Sequence, residues 1–154
     1  AYWKSGEPDA ILVYNTFCTV MASRLPSPLC LAVLSTVCNA WNTSSRFHQQ
    51  VGACIFGCEG PADDRLVHYL CCPAIAAPAL RLLSLDASTL APTPLLSLFA
   101  LLADPAQRSE AALYVDAALF AFSSKKNGAS ATAGHVFAAR VRDMRRRTPP
   151  RLLP

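Results

Sequence analysis

The sequence predicts a mainly α fold, a small helical domain with one irregular zinc knuckle. Three observations carry that expectation. The 154 residues are 53% hydrophobic and only 16% charged, which is enough apolar side chain for a real core and too little charge for a disordered chain. Two long runs, 25–45 and 87–103, are uncharged, the chain beyond the cysteines is rich in Ala and Leu, and twelve prolines against six glycines imply short elements with firm boundaries. Four of the seven cysteines and one of the three histidines fall within 54–72, "CIFGCEGPADDRLVHYLCC".

The elements follow in order. Residues 9–22, "DAILVYNTFCTVMA", are apolar enough for a buried helix or strand, and periodicity alone does not separate the two. After "RLPSP", the stretch "LCLAVLSTVCNAW" reads as a helix in which Cys30 and Cys38 are small core residues. "NTSS" supplies cap-type side chains and "RFHQQ" opens another short segment. Asn42-Thr43-Ser44 fits a glycosylation sequon, yet nothing else argues for secretion. Beyond the cysteines, 74–84 and 93–103 read as two helices separated by "DASTLAPTP". For the next helix, Asp104 is a cap, Pro105 suits the first position and Gln107 completes a capping box. Leu113, Ala117 and Phe120 give it an apolar stripe, and Lys125-Lys126 followed by Asn127-Gly128 end it. A last helix, about 131–147, carries Phe137, Val141 and Met144 on one stripe, and "TPPRLLP" closes the chain.

The cysteine-rich stretch fits a metal better than a disulfide. Cys54 and Cys58 flank "IFG", where Gly57 lets the chain turn so that both sulfurs face one point. Gly60 and Pro61 are expected to open a helix with Asp63 and Asp64 in its acidic first turn. On that helix His68 and Cys72, four residues apart, stack on one face, and Pro73 stops it. Two thiolates from a turn, with a His and a thiolate from a helix, make a tetrahedral Cys3His set: a closed structural zinc site with no open position for catalysis. Cys71 is also within reach of His68, but the four-residue offset favours Cys72. A fortuitous cluster of apolar cysteines and a set of disulfides remain as alternatives. The odd cysteine count and the lack of a signal-peptide plan in "AYWKSGEP" weigh against disulfides, and point to an intracellular, nuclear or cytoplasmic, setting.

With these residues in place, "CNAWNTSSRFHQQVGACIFGCEGPADDRLVHYLCCPAI" resembles the segment after the polymerase domain in non-LTR retrotransposon reverse transcriptases, including their C-terminal CCHC-type zinc knuckle. The matching residues are Cys54, Cys58, Asp64, His68, Tyr69, Leu70, Cys72 and Pro73. An upstream block is formed by Asn39, Trp41, Thr43, Arg46 and Phe47. The likeness covers roughly 36–75. It departs from the pattern in a three-residue His-to-Cys spacing and in Ala40, where Gly is expected. The polymerase's Tyr/Phe-x-Asp-Asp motif is absent, and "ADD" at 62–64 lies inside the knuckle. The resemblance implies a non-catalytic role in holding template RNA or target DNA, beside the polymerase part of the same polyprotein. The chain then divides into a post-polymerase-like helical segment (1–53), the knuckle (54–73), a helical C-terminal region (74–148) and a tail (149–154). The initial Ala suggests a piece of a longer polypeptide.

Charge supports an anionic partner. Residues 1–120 carry six Lys/Arg and nine Asp/Glu, a net of −3, whereas 121–154 carry eight Lys/Arg and one Asp, a net of +7. Arg140, Arg142, Arg145, Arg146 and Arg147 crowd the last helix and, with Arg46, are the candidate phosphate contacts; a solubilising basic end is the plainer reading. Arg46 could equally pair with Glu59 or Asp63. His48 reads as a surface or packing residue, and His135 as the start of the last helix. No nucleophile elbow or phosphate loop occurs, so no enzyme site is expected. The uncharged runs are broken by Pro, Ser, Thr and Asn and read as core helices; no membrane role is expected. A zinc-stabilised helical module that binds protein and no nucleic acid is the alternative function.

Overall fold

The computed structural model describes residues 10–44, 47, 52–59, 64–85 and 94–147. Within them lie seven helices and no strand: α1 (Ala10–Ala22), α2 (Ser27–Val37), α3 (Leu66–Cys71), α4 (Pro73–Leu82), α5 (Pro94–Ala103), α6 (Arg108–Lys126) and α7 (Ala133–Arg147). The first segment, undecided between helix and strand by its pattern, is helical. Among the described residues no helix is long and apolar enough to cross a membrane.

Helix α6 is the axis of the molecule. Residues 111–118 are all buried, together with Ser109, Ala121 and Phe122, because α2, α5, α3 and α7 surround it. Asp116 is the one charged side chain in that buried run. Phe120 departs from the expected stripe: it is 44% exposed, with the Arg140 guanidinium lying over its ring at 4.9 Å. The start of α6 also differs from expectation. Asp104 does accept from the Ala106 N–H at 2.9 Å and the Gln107 side chain at 3.1 Å, but these bonds cap a turn, and the helix begins at Arg108. Arg108 instead turns back and donates to the Leu102 and Ala103 carbonyls at the end of α5.

Two helix ends are set by left-handed residues. Asn39 (φ 49) ends α2 while Asn39 N and Ala40 N donate back to Thr36 and Ser35; Gly128 (φ 83) ends α6 with matching bonds to Lys125 and Ser124. Asn and Gly are the residues that tolerate this conformation. Cys30 packs half-buried against the core, but Cys38, at the exposed end of α2, does not belong to it.

The apolar stripe of α7 is as expected: Phe137, Val141 and Met144 are buried, with Ala133, Val136 and Ala138 beside them. Helix α4 packs along α7 by a particular fit. Pro78 inside α4 has no N–H, so the Ala74 carbonyl loses its intrahelical donor. Gly134 of α7 stands against that same carbonyl and the Pro78 ring. The knuckle is not a separate lobe, since Cys54, Phe56, Tyr69 and Cys72 join the same apolar cluster as Phe99, Tyr114 and Phe137.

Candidate metal centre

Cys54 and Cys58 lie in a tight turn. Gly57 adopts φ 76, closed to most side chains, and its N–H donates to the Cys54 carbonyl at 3.0 Å. His68 comes from the middle of α3. Cys72 sits outside that helix, contrary to the expected stacking of His68 and Cys72 on one helical face. Its backbone is extended (φ −61, ψ 128), because a residue preceding proline is driven out of the α region. Pro73 therefore both stops α3 and starts α4, with Cys72 as the cap between them. The expected start of the helix at Gly60–Pro61, with Asp63, lies outside the described residues. Asp64, which is described, precedes the helix, and α3 begins at Leu66.

The kink aims the ligands well. Cys54 Sγ lies 3.7 Å from Cys72 Sγ, Cys58 Sγ lies 3.4 Å from His68 Nε2, and all four ligand atoms fall within 4.8 Å of one another. A tetrahedral ion with bonds of about 2.3 Å to sulfur and 2.0–2.1 Å to nitrogen requires edges of about 3.8 Å (S–S) and 3.6 Å (S–N). The two tight pairs, at 3.7 and 3.4 Å, lie within about 0.2 Å of those lengths. Cys71 is left out: its Sγ donates to the Val67 carbonyl at 3.3 Å. All seven cysteines are free thiols, so the disulfide alternative is not what the fold builds.

Burial governs the protonation of the two inner thiols. Burial pushes the Cys54 thiol up, and pushes the Cys72 thiol far above its ordinary value, with neighbouring sulfurs adding to the effect at Cys72. Ionising several crowded, desolvated thiols is costly unless a positive ion sits among them.

Behind the ligands stands Tyr69, fully buried next to His68. Its ring meets His68 (5.6 Å), Phe56 (4.9 Å), Phe122 (4.9 Å) and Trp41 (6.3 Å). Its hydroxyl donates to Asp64 Oδ1 at 2.6 Å, and burial with that carboxylate pushes the phenol up. Asp64 Oδ2 accepts from the Ser44 N–H at 2.7 Å and from the Ser44 hydroxyl. Burial works against the Asp64 carboxylate, but bonds from the Ser44 and Tyr69 hydroxyls and the Ser44 N–H, with Lys126 nearby, hold its carboxyl below the usual range. Lys126 also donates to the Asn42 carbonyl. Trp41 is anchored by Nε1 donating to Thr36 Oγ1 at 2.9 Å. The loop after α2 is thus tied to the knuckle through one carboxylate. Spacing alone did not reveal this role for Asp64.

The candidate phosphate contacts are placed unequally. Arg46 and His48 lie outside the described residues. Arg140 is not outward as expected: it forks onto Asp116 of α6 at 2.7 and 3.0 Å, because the buried carboxylate there needs a partner. Arg145 reaches Glu110 at 2.8 Å and Arg147 reaches Asp143 at 3.0 Å. Among the described residues, Arg142 and Arg146 make no ion pair, and His135 is exposed near the start of α7. A scan against protein-family models and searches of curated proteins and of solved structures returned no match to this chain.

Proposed function

We propose that this chain is a non-catalytic, zinc-stabilised nucleic-acid-binding region of a retroelement reverse transcriptase. It would hold template RNA or target DNA while the polymerase part of the same polypeptide supplies the chemistry. The observation that carries the reading is the convergence of Cys54, Cys58, His68 and Cys72 within 4.8 Å. Soft sulfur donors with one imidazole suit zinc and disfavour magnesium or calcium, and four protein ligands leave no vacant position for substrate. The retroelement part rests on the sequence resemblance. It is supported by the meeting of the two motif blocks, with Trp41 stacked on Tyr69 and Ser44 bonded to Asp64. Elemental analysis of reduced protein tests the metal, with one zinc per chain expected and none overturning it. RNA and DNA binding across a salt series tests the partner; no binding at low salt overturns that part.

A second reading, a helical protein-interaction module, is favoured by one feature. Helix α1 has no charged residue and leaves Ile11, Tyr14, Phe17 and Met21 exposed.

A further inference from the structure

Helices α4 and α7 run side by side in the same direction. Near the start of α7, Gly134 abuts Ala74 and Pro78. At the other end, Glu110 accepts both from Arg145 at 2.8 Å and from the Ser84 N–H at 3.1 Å, just past the end of α4. The C-terminal ends of the two helices therefore lie together.

That arrangement recruits a residue from a distant part of the chain. Arg81 is exposed, one turn beyond Pro78, whose ring meets Gly134 of α7. On α7, which packs along α4, Arg142 and Arg146 are one turn apart and both exposed. None of these three makes an ion pair among the described residues, where Glu110 is taken by Arg145, and Asp143 by Arg140 and Arg147. The two helix ends offset only part of this charge, since each carries about half a negative unit. Among the described residues, about two positive charges stay uncompensated at the mouth of one seam.

We infer that Arg81, Arg142 and Arg146 form a three-guanidinium site at the α4–α7 seam for the phosphodiester backbone of RNA or DNA. The inference rests on the nucleic-acid reading above and narrows it: Arg140, Arg145 and Arg147 are held in ion pairs, and Arg81 joins from outside the basic tail. Guanidiniums suit this partner because each presents a fork of donors to phosphate oxygens, and adjacent phosphates can meet adjacent forks. No base preference is expected from such contacts.

The test is fluorescence anisotropy of labelled RNA and duplex DNA oligonucleotides against the full 154-residue chain over a salt series. Each arginine removed from the site should lower the salt slope by about 0.7–0.9 and weaken binding roughly five- to tenfold near 0.1 M salt. Arg81→Ala should match Arg142→Ala in this, while Arg24→Ala, an exposed arginine beyond α1, should do nothing. Unchanged melting temperatures would show that the variants fold. If Arg81→Ala behaves like Arg24→Ala while the Arg142→Ala/Arg146→Ala pair weakens binding, the seam site is wrong and the nucleic-acid reading stands. If the unaltered chain binds neither oligonucleotide at low salt, the reading fails and takes the site with it.

Discussion

Tyr69 and Asp64 form the joint between the candidate metal centre and the rest of the molecule. The phenol donates to Asp64 Oδ1 at 2.6 Å, and the same carboxylate accepts the Ser44 N–H at 2.7 Å. One buried anion is thus shared by the knuckle and by the loop after α2. Its removal should cost more than an ordinary surface hydrogen bond. Asp64→Asn leaves an amide facing donors, and Tyr69→Phe leaves the carboxylate short of one; each should destabilise by about 1.5–3 kcal/mol in urea unfolding. A loss below a few tenths in both would mean the joint is ornamental.

The same carboxylate predicts a pH response. Its folded-state carboxyl titrates below the ordinary range, so its contribution is fully present above the unfolded value of about 3.9. The contribution disappears as the pH falls through the lower folded value. In Asp64→Asn that part of the acid limb should be missing. Denaturation curves at pH 3, 4, 5 and 7 for the two proteins measure it.

Metal removal should be felt first at Trp41 and Tyr69. Structural zinc in small peptides contributes an apparent 10–16 kcal/mol or so at neutral pH. Here the ligands are also walled by a large apolar core, so a chelator should disorder the knuckle while α6 and α7 persist. Near-UV circular dichroism should collapse, because Tyr69 and Trp41 stack at 6.3 Å beside the site, whereas far-UV signal should fall only partly. Burial raises the Cys54 and Cys72 thiols, so loading must release protons and occupancy must fall on acidification. Cys72→Ser should abolish stoichiometric metal, and Cys71→Ser should retain it. The reverse result would move the fourth ligand to Cys71.

What the sequence disclosed, and what it hid, divides along the distance over which each feature is decided. Helices α2, α4, α5 and α7 follow from local signals: uncharged apolar runs, prolines at their starts and spaced apolar residues. The Cys54, Cys58, His68 and Cys72 cluster is legible too, although the route to Cys72 differs. A helical offset suggested it, while the extended backbone before Pro73 delivers its sulfur. Features decided at long range were invisible. Arg140 finds Asp116 from 24 residues away and Arg145 finds Glu110 from 35, so two of the five α7 guanidiniums are held by acids of α6. Asp64 likewise reads as a first-turn acid until the loop bearing Ser44 folds over it.

The arginines of α7 should separate cleanly in stability. Arg140 and Asp116 are only 18% and 7% exposed, so Arg140→Ala strands a buried carboxylate and should cost about 3 kcal/mol. Arg147 is 71% exposed in its pair with Asp143, and Arg147→Ala should cost no more than about 0.5 kcal/mol. Equal effects in thermal or urea unfolding would contradict the assignment of Arg140 as bracing.

Gly134 offers the sharpest test of the α4–α7 seam. Within a helix, Gly→Ala ordinarily gains about 1 kcal/mol from propensity. At this position a Cβ would lie 2.8 Å from the Ala74 carbonyl oxygen, with the Pro78 ring at 3.5 Å. The oxygen belongs to backbone and cannot rotate aside, so the helices must separate by several tenths of an ångström. Overpacking of this kind costs about 1–3 kcal/mol and loosens contacts along the seam. The clash should outweigh the propensity, making Gly134→Ala destabilising by about 1 kcal/mol and Gly134→Val more so. Replacing Pro78 with Ala in the same protein restores a donor for the Ala74 carbonyl but leaves the Gly134→Ala clash in place, so the penalty should survive that background. A Gly134→Ala protein that melts higher than the parent would show that α4 and α7 do not meet at this glycine.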